Sequence, residues 1–367
     1  MNRVRSVALS TVLSFCLLGS GCETDTSLDA AAPRPDAFVE ERDAPAAPDA
    51  FGATDDAFGA EDAFIGVDAW DPRDAFSAED AFSSTDAGAA ADAFSPDAAV
   101  RPPCGGMRPD ISRVRDTEGL VIGRDGAVYY SQRRAVGRIA VDGTVNDSFA
   151  MLPSRAAQVW GIVPDAANEH LYVGSPSTGT VYDIDLRTSP PTVTTLVADV
   201  GGPNGLTLGP DGALYFSDFI GGRVMRVALG ASEPPTVVAR VANANGIAFD
   251  DAGRLLVCDY GAGELLRLTL RSGVETARET VANRLGNPDG VALDRDGTIY
   301  VTDNGRGRLL RLEADGTTTA LLSGVGSAAS LDFGAGALDC EDIYVASAGA
   351  MRRYEMGTIP GRAVPWH

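Results

Sequence analysis

Six times between residues 118 and 330 the chain runs from a polar stretch into one residue, then a short apolar strand. In five of the six cases a Gly stands between them. The six lead residues are Glu118, Trp160, Asn204, Asn245, Asp289 and Ser330, separated by 42, 44, 41, 44 and 41 positions. A recurrence this regular, in units of about 44 residues, restricts the chain to a radial or stacked repeat architecture. The frame stays constant while the lead residue changes. That is the behaviour of equivalent positions arranged around one axis.

Each unit has the same internal order. The lead residue opens a strand such as Leu120-Val121-Ile122 or Ile247-Ala248-Phe249, and a Gly turn follows: Asp125-Gly126, Asp211-Gly212, Ala252-Gly253 or Asp296-Gly297. Such dipeptides favour two-residue hairpins. A second strand, such as Ala213-Leu214-Tyr215-Phe216, ends on a polar residue: Gln132, Ser175, Asp218, Asp259, Asp303 or Ser347. A Gly-rich loop leads to a third strand, and another Gly turn leads to a fourth. No window shows sustained helical spacing. The pattern predicts an all-β fold, a six-bladed β-propeller of four-stranded antiparallel blades over residues 104–367. In that topology the loops before the first strand and those after the second share one face, so the lead residues ring the channel mouth.

What precedes the repeats is of another kind. Residues 1–21 carry Arg3 and Arg5, then an apolar run from Val7 to Leu18 that is too short to span a bilayer and fits a signal peptide. Leu18-Gly19-Ser20-Gly21-Cys22 resembles a bacterial lipoprotein cleavage box, with Cys22 the lipidated residue. Glu23 resembles an outer-membrane sorting signal. The expectation is a lipoprotein of the cell envelope held by lipid on Cys22, with a periplasmic or secreted protein as the alternative. Residues 22–103 repeat Asp-Ala about every six positions, often followed by Phe. Residues 23–103 hold 20 acidic and 4 Arg side chains, −16 of the chain's −21. This composition predicts a disordered acidic stalk with an end-to-end distance of roughly 50 Å.

By difference, residues 104–367 carry 31 acidic and 24 basic side chains, and every cation in the chain is Arg. Nothing is basic enough for nucleic acid. Cys104 opens this region and Cys340 lies in its last unit, so a Cys104–Cys340 disulfide would close the ring in an oxidising envelope. Cys258, inside a second strand, reads as a small buried residue. Nothing in the sequence calls for more than a monomer.

Four of the lead residues, Glu118, Asn204, Asn245 and Asp289, offer oxygen to a hard cation. Any one of them alone reads as a turn residue. Four at equivalent positions point to one shared divalent ion, with calcium suited to such a set. The motifs Asp116-Thr117-Glu118-Gly119-Leu120, Gly202-Pro203-Asn204-Gly205-Leu206 and Asn287-Pro288-Asp289-Gly290-Val291 resemble those of the gluconolactonase/regucalcin (senescence marker protein) family. That resemblance covers residues 104–367 and implies a six-bladed propeller holding one divalent metal through a Glu, two Asn and an Asp. It also implies hydrolysis of a lactone or ester, with Asp289 the catalytic base. Gly202 and Gly205 stand where many gluconolactonases place an Arg and an Asp for sugar hydroxyls, so the resemblance implies the metal without the sugar.

Trp160 and Ser330 complete the ring as candidate pocket residues. Arg133, Arg134, Phe219, Tyr260, Asn304 and Arg306 follow second strands and are candidates to reach a substrate. Asp218, Asp259 and Asp303 are expected to bond backbone and lock blade to blade rather than hold metal. His170 and His367 do not read as ligands. No phosphate loop, zinc Cys pair or Ser nucleophile elbow is present. Two readings follow: a metal-dependent lactonase- or esterase-type hydrolase, or a non-catalytic NHL-like propeller that binds a glycan, peptide or protein at the same mouth.

Overall fold

Short apolar runs interrupted by Gly turns become β-strands, and nothing in the repeats competes with that outcome. The computed structural model describes residues 104–355, and every regular element among them is a β-strand. The signal segment, Cys22, the acidic stretch and His367 lie outside the described residues.

Six antiparallel sheets follow in chain order: Leu120–Met151, Ile162–Val197, Pro203–Ala239, Ala244–Ala282, Pro288–Ser323 and Ala328–Glu355. The first five have four strands in the order of the chain. The sixth shows three strands among the described residues, where four were expected.

Apolar side chains fall into six clusters, and each cluster is shared by two neighbouring blades. Consecutive second-strand residues point to opposite neighbours: Tyr129 packs towards blade 2, and Tyr130 towards blade 6. This explains why second strands are apolar at successive positions rather than at alternate ones, since both faces of each blade are covered. The cluster between blades 6 and 1 joins Tyr344 and Ala346 to Leu120, Val128 and Tyr130, and so closes the circle.

The same closure is strapped from outside. Cys104 is bonded to Cys340, 236 residues away. Gly105 and Met107 donate backbone hydrogen bonds to Gly336 and Ala337, each at 3.0 Å, and Arg108 pairs with Asp339 and Asp342 at 2.9 and 3.0 Å.

The Asp-Gly turns differ from the two-residue hairpins expected. Gly123 N–H donates to Ala127 and Gly126 N–H to Gly123, which leaves three loop residues with Gly126 at φ 85°. The turns at Gly212, Gly253 and Gly297 repeat this arrangement. Three-residue loops of this kind end on a left-handed residue, a conformation in which Gly carries no Cβ penalty.

The innermost strands meet backbone to backbone around the axis. A Cβ on Gly119, Gly161, Gly205 or Gly246 would overlap the carbonyl oxygen of Trp160, Asn204, Asn245 or Asp289 respectively, in each case the ring residue of the next blade. The recurring Gly is therefore a spacing requirement. Gly246→Ala is expected to destabilise the fold by about 2 kcal/mol or more, because the atoms it would meet, those of Asp289 and Gly290, are backbone and cannot rotate away. Urea denaturation of the variant checks this, and a cost below about 0.5 kcal/mol would contradict the close approach.

Candidate metal centre

Two residues before the first apolar pair of each blade, the chain reaches the channel mouth. The pairs Leu206–Phe216, Ile247–Val257, Val291–Val301 and Leu331–Val345 are equivalent, as is Leu120–Tyr130. Counting back two residues gives Glu118, Trp160, Asn204, Asn245, Asp289 and, in blade 6, Ala329. Ser330 is therefore not the sixth ring residue. It stands in the position Gly holds in the other blades, and its N–H donates to the Glu118 carbonyl at 3.1 Å. The sixth step is one residue shorter than the sequence spacing suggested.

Asn204, Asn245 and Asp289 are 5%, 4% and 5% exposed and line one narrow central channel of about 80 Å³. Glu118 is half-buried. Among the described residues, no hydrogen-bond partner is found for the side chains of Glu118, Asn204 or Asn245. Asp289 has one: Asn304 Nδ2 donates to its Oδ2 at 2.9 Å. Amide and carboxylate oxygens that face a channel without a protein partner are open to a ligand.

The carboxylates say the same electrostatically. Burial raises the Glu118 carboxyl to about 7. Asp289 is pushed well above the usual carboxylate range, first by burial and then by the charge of Glu118, while the Asn304 hydrogen bond pulls the other way. The charge of Glu118 acts on Asp289, so the two carboxyls are near one another, and a divalent cation between them would favour both ionised forms. Two carboxylates and two amide oxygens are hard donors, a set that fits Ca²⁺ with water completing six to eight ligands. No group of three or more His, Cys, Asp or Glu converges among the described residues, because half of this donor set is amide.

The ion-free protein should accordingly be pH-sensitive. The Glu118 carboxyl is raised from 4.5 to about 7 in the fold, so its stabilising contribution is complete below 4.5 and is lost as pH rises through 7. In chelator, the melting temperature is expected to be several degrees higher at pH 5 than at pH 7.5. Glu118→Gln should flatten that difference, and excess Ca²⁺ should reverse it. An ion-free melting temperature that climbs across this range would oppose the assignment.

A row of hydroxyls beneath the ring was missed in the sequence. Ser131 Oγ accepts from the N–H groups of Glu118 and Gly119 at 2.8 and 3.0 Å. Ser217 Oγ accepts from Gly205 at 2.8 Å, and Thr302 Oγ1 from Gly290 at 2.7 Å. These hydroxyls hold the peptides that carry the donors. Their signal was present: each is the residue before the polar end of a second strand. Cys258 fills that position in blade 4, is free and buried, and has its thiol pKa raised by burial.

Asp218 accepts from Gly201, Gly202 and Gly221 at 3.2, 2.6 and 2.9 Å and pairs with Arg223. Asp303 accepts from Asn287 at 3.1 Å and pairs with Arg306 and Arg308. Asp259 accepts from Ala262 at 3.1 Å. Asp218 and Asp303 pin the incoming loop of their own blade rather than locking one blade to the next.

Of the other candidates, Trp160 stands half-buried at the ring position of blade 2. Phe219, Tyr260 and Asn304 gather beside the ring: Phe219 meets Tyr260 edge to face at 5.8 Å, and Tyr260 Oη donates to Asn304 Oδ1 at 3.3 Å. Arg306 turns to Asp303 at 3.4 Å. Arg133 and Arg134 line a groove with Arg155 and Gln158 rather than the central channel. His170 bonds Asp183 at 2.8 Å and takes no part in the ring.

A closed six-bladed propeller with hard oxygen donors at one mouth defines the class of this molecule. Residues 163–284 match the family described as SMP-30/Gluconolactonase/LRE-like region, and residues 285–312 match the NHL repeat. The resemblance read from the motifs is thus supported over residues 163–284. Among solved structures, a gluconolactonase from Xanthomonas campestris is 21% identical, over 67% of this chain and 87% of its own, at a TM-score of 0.57. The calcium-binding protein regucalcin from Agrobacterium tumefaciens is 20% identical, over 68% and 92%, at 0.56. A luciferin-regenerating enzyme is 15% identical, over 69% and 95%, at 0.56. At these identities the likeness is one of fold. No curated protein matches the chain in sequence.

Proposed function

We propose that the propeller is a divalent-metal-dependent hydrolase of lactones or esters, with Ca²⁺ held by Glu118, Asn204, Asn245 and Asp289. The observation that carries this reading is the gathering at one channel mouth of two amides, Asn204 and Asn245, and two carboxyls whose pKa values burial raises, Glu118 and Asp289. When bound, the ion would polarise the substrate carbonyl and favour the developing oxyanion. The chain's own residues do the rest. Asp289 takes a proton from the attacking water as its oxygen bonds to the carbonyl carbon. The carbon–oxygen bond to the leaving alcohol then breaks, and the proton passes to that alcohol oxygen. Asn304 fixes one Asp289 oxygen by its 2.9 Å hydrogen bond and leaves the other, Oδ1, without a protein donor. Trp160, Phe219 and Tyr260 narrow the mouth around the reacting group.

The SMP-30/gluconolactonase region and the fold shared with a gluconolactonase and with regucalcin support this reading. The test is hydrolysis of a panel of lactones and aryl esters with Ca²⁺ against chelator. Turnover that needs the ion is expected. No turnover on any substrate, together with a melting temperature indifferent to Ca²⁺, would remove the proposal.

The NHL match over residues 285–312 favours a second reading, a non-catalytic propeller binding a glycan, peptide or protein at the same mouth. A Ca²⁺-induced rise in melting temperature without turnover would select it. We further propose that the domain acts as a monomer at the cell envelope, tethered by residues 22–103 and lipid on Cys22. Labelling with a radioactive fatty acid, lost in Cys22→Ser, checks the tether.

A further inference from the structure

Directly beyond the ring stands a second circle, made by the residue that follows the second strand of each blade: Arg133, Pro176, Phe219, Tyr260, Asn304 and Ala348. The N–H groups of Phe219, Tyr260 and Asn304 donate to the carbonyls of Gly202, Asn243 and Asn287 at 2.8, 3.0 and 2.9 Å. Those acceptors lie two residues before Asn204, Asn245 and Asp289. Each rim side chain is thus placed next to the oxygen donor of its own blade.

Over blades 3 and 4 this rim is apolar. Phe219 and Tyr260 form an edge-to-face pair, and Ile220 beside them is 69% exposed, the most exposed large hydrophobic side chain among the described residues. Ile220 also covers Gly202, where an added Cβ would lie 2.8 Å from its Cγ1. Gly201, Gly202, Gly221, Gly222 and Gly261 bring no side-chain donor or acceptor to this sector, which leaves the Asn243 amide beside Gly261 as its polar neighbour. The one hydroxyl, that of Tyr260, is already engaged with Asn304. The cations nearby are engaged or turned away: Arg223 on Asp218, Arg306 on Asp303, and Arg133 and Arg134 in their groove.

On the premise of the hydrolytic site proposed above, we infer that its substrate is an alkyl- or aryl-substituted lactone or ester, whose apolar group rests on Phe219, Ile220 and Tyr260. A polyhydroxylated lactone would lose water from its several hydroxyls in this sector and find fewer donors and acceptors than it gave up. An apolar group gains by covering an exposed Ile and two aromatic edges.

The experiment uses the full chain with saturating Ca²⁺ and compares glucono-1,5-lactone with δ-valerolactones bearing no, butyl or hexyl substituents. KM is expected to fall by up to about fourfold for each added methylene that is buried, while kcat changes little. Ile220→Ser and Phe219→Ala should each raise KM for the hexyl compound about fivefold to tenfold and keep the wild-type Ca²⁺-induced thermal shift. Equal or better kcat/KM on gluconolactone, or an unchanged KM series in both variants, would overturn the inference. A calorimetric arm uses the corresponding lactams, which do not need turnover to bind. Hexyl-lactam binding that weakens in Ile220→Ser supports the apolar wall even if hydrolysis itself fails, and equal or absent binding of the unsubstituted and hexyl lactams rejects the wall.

Discussion

Asp289→Asn is expected to lower ion-dependent turnover by about 10³-fold while making the ion-free protein more stable, two effects of opposite sign from one atom change. In wild type the Asp289 carboxyl is buried beside Glu118, whose charge adds to the cost of ionising it. The amide keeps the shape and removes one of the two charges. Removing a carboxyl whose pKa the fold has raised recovers about 1.4 kcal/mol for each unit of that raise at a pH above it. In a domain of this size that is several degrees in melting temperature at pH 7.5 in chelator. With Ca²⁺ present the order reverses, because the wild type gains the ion's binding energy and the variant gains little of it. The check is a set of four melting curves, two proteins with and without Ca²⁺, beside the hydrolysis rates. A variant that keeps the wild-type Ca²⁺ shift would show that the ion is not held at this mouth. A general loss of folding would instead lower the melting temperature under both conditions.

Asn304→Ala should act on the same carboxylate by a different route. It removes the hydrogen bond to Oδ2, which frees the side chain to rotate. A fall in kcat larger than any change in Ca²⁺ affinity would identify positioning rather than ligation.

Breaking the Cys104–Cys340 bond has the largest expected effect on the fold itself. The bond spans 236 residues, so reduction releases a loop that includes nearly the whole propeller. Cross-links over long loops contribute about 2–4 kcal/mol. Here the bond also holds the segment whose Met107 and Arg108 bond the hairpin turn of blade 6. Cys104→Ser is expected to lower the melting temperature by roughly 5–15 °C, and reductant should do the same to wild type without further effect on the variant. The loss should begin at the interface of blades 6 and 1, where Ile111 and Val114 join the shared apolar cluster. Hydrogen exchange that rises first in residues 328–355 would report it. Exchange that rises evenly around the ring would contradict closure by this strap.

The residues explain why some of this was legible before any coordinates. A four-strand unit cannot bury its own faces, so a regular run of such units must stack, and a run of six with apolar second strands closes into a ring. The lead positions of blades 1 to 5 were equally readable, because close backbone approach at the axis demands Gly after each of them. That demand lapses in blade 6, where Ser330 takes the Gly place and Ala329 the ring place. Spacing alone shifted the register there by one. The hydroxyls of Ser131, Ser217 and Thr302 carried a positional signal, but their role depends on which peptide faces them across the sheet.

Repeat length, strand order and the residue types at the channel mouth were thus properties of the chain written in order, since short-range periodicity and turn chemistry determine them. Which oxygens meet, which of them lack partners, and that the Phe219–Tyr260 pair stands over blades 3 and 4 were decided only when the ring closed. Residues 44 and more apart become neighbours through inter-blade packing, and no local pattern encodes the distances that result.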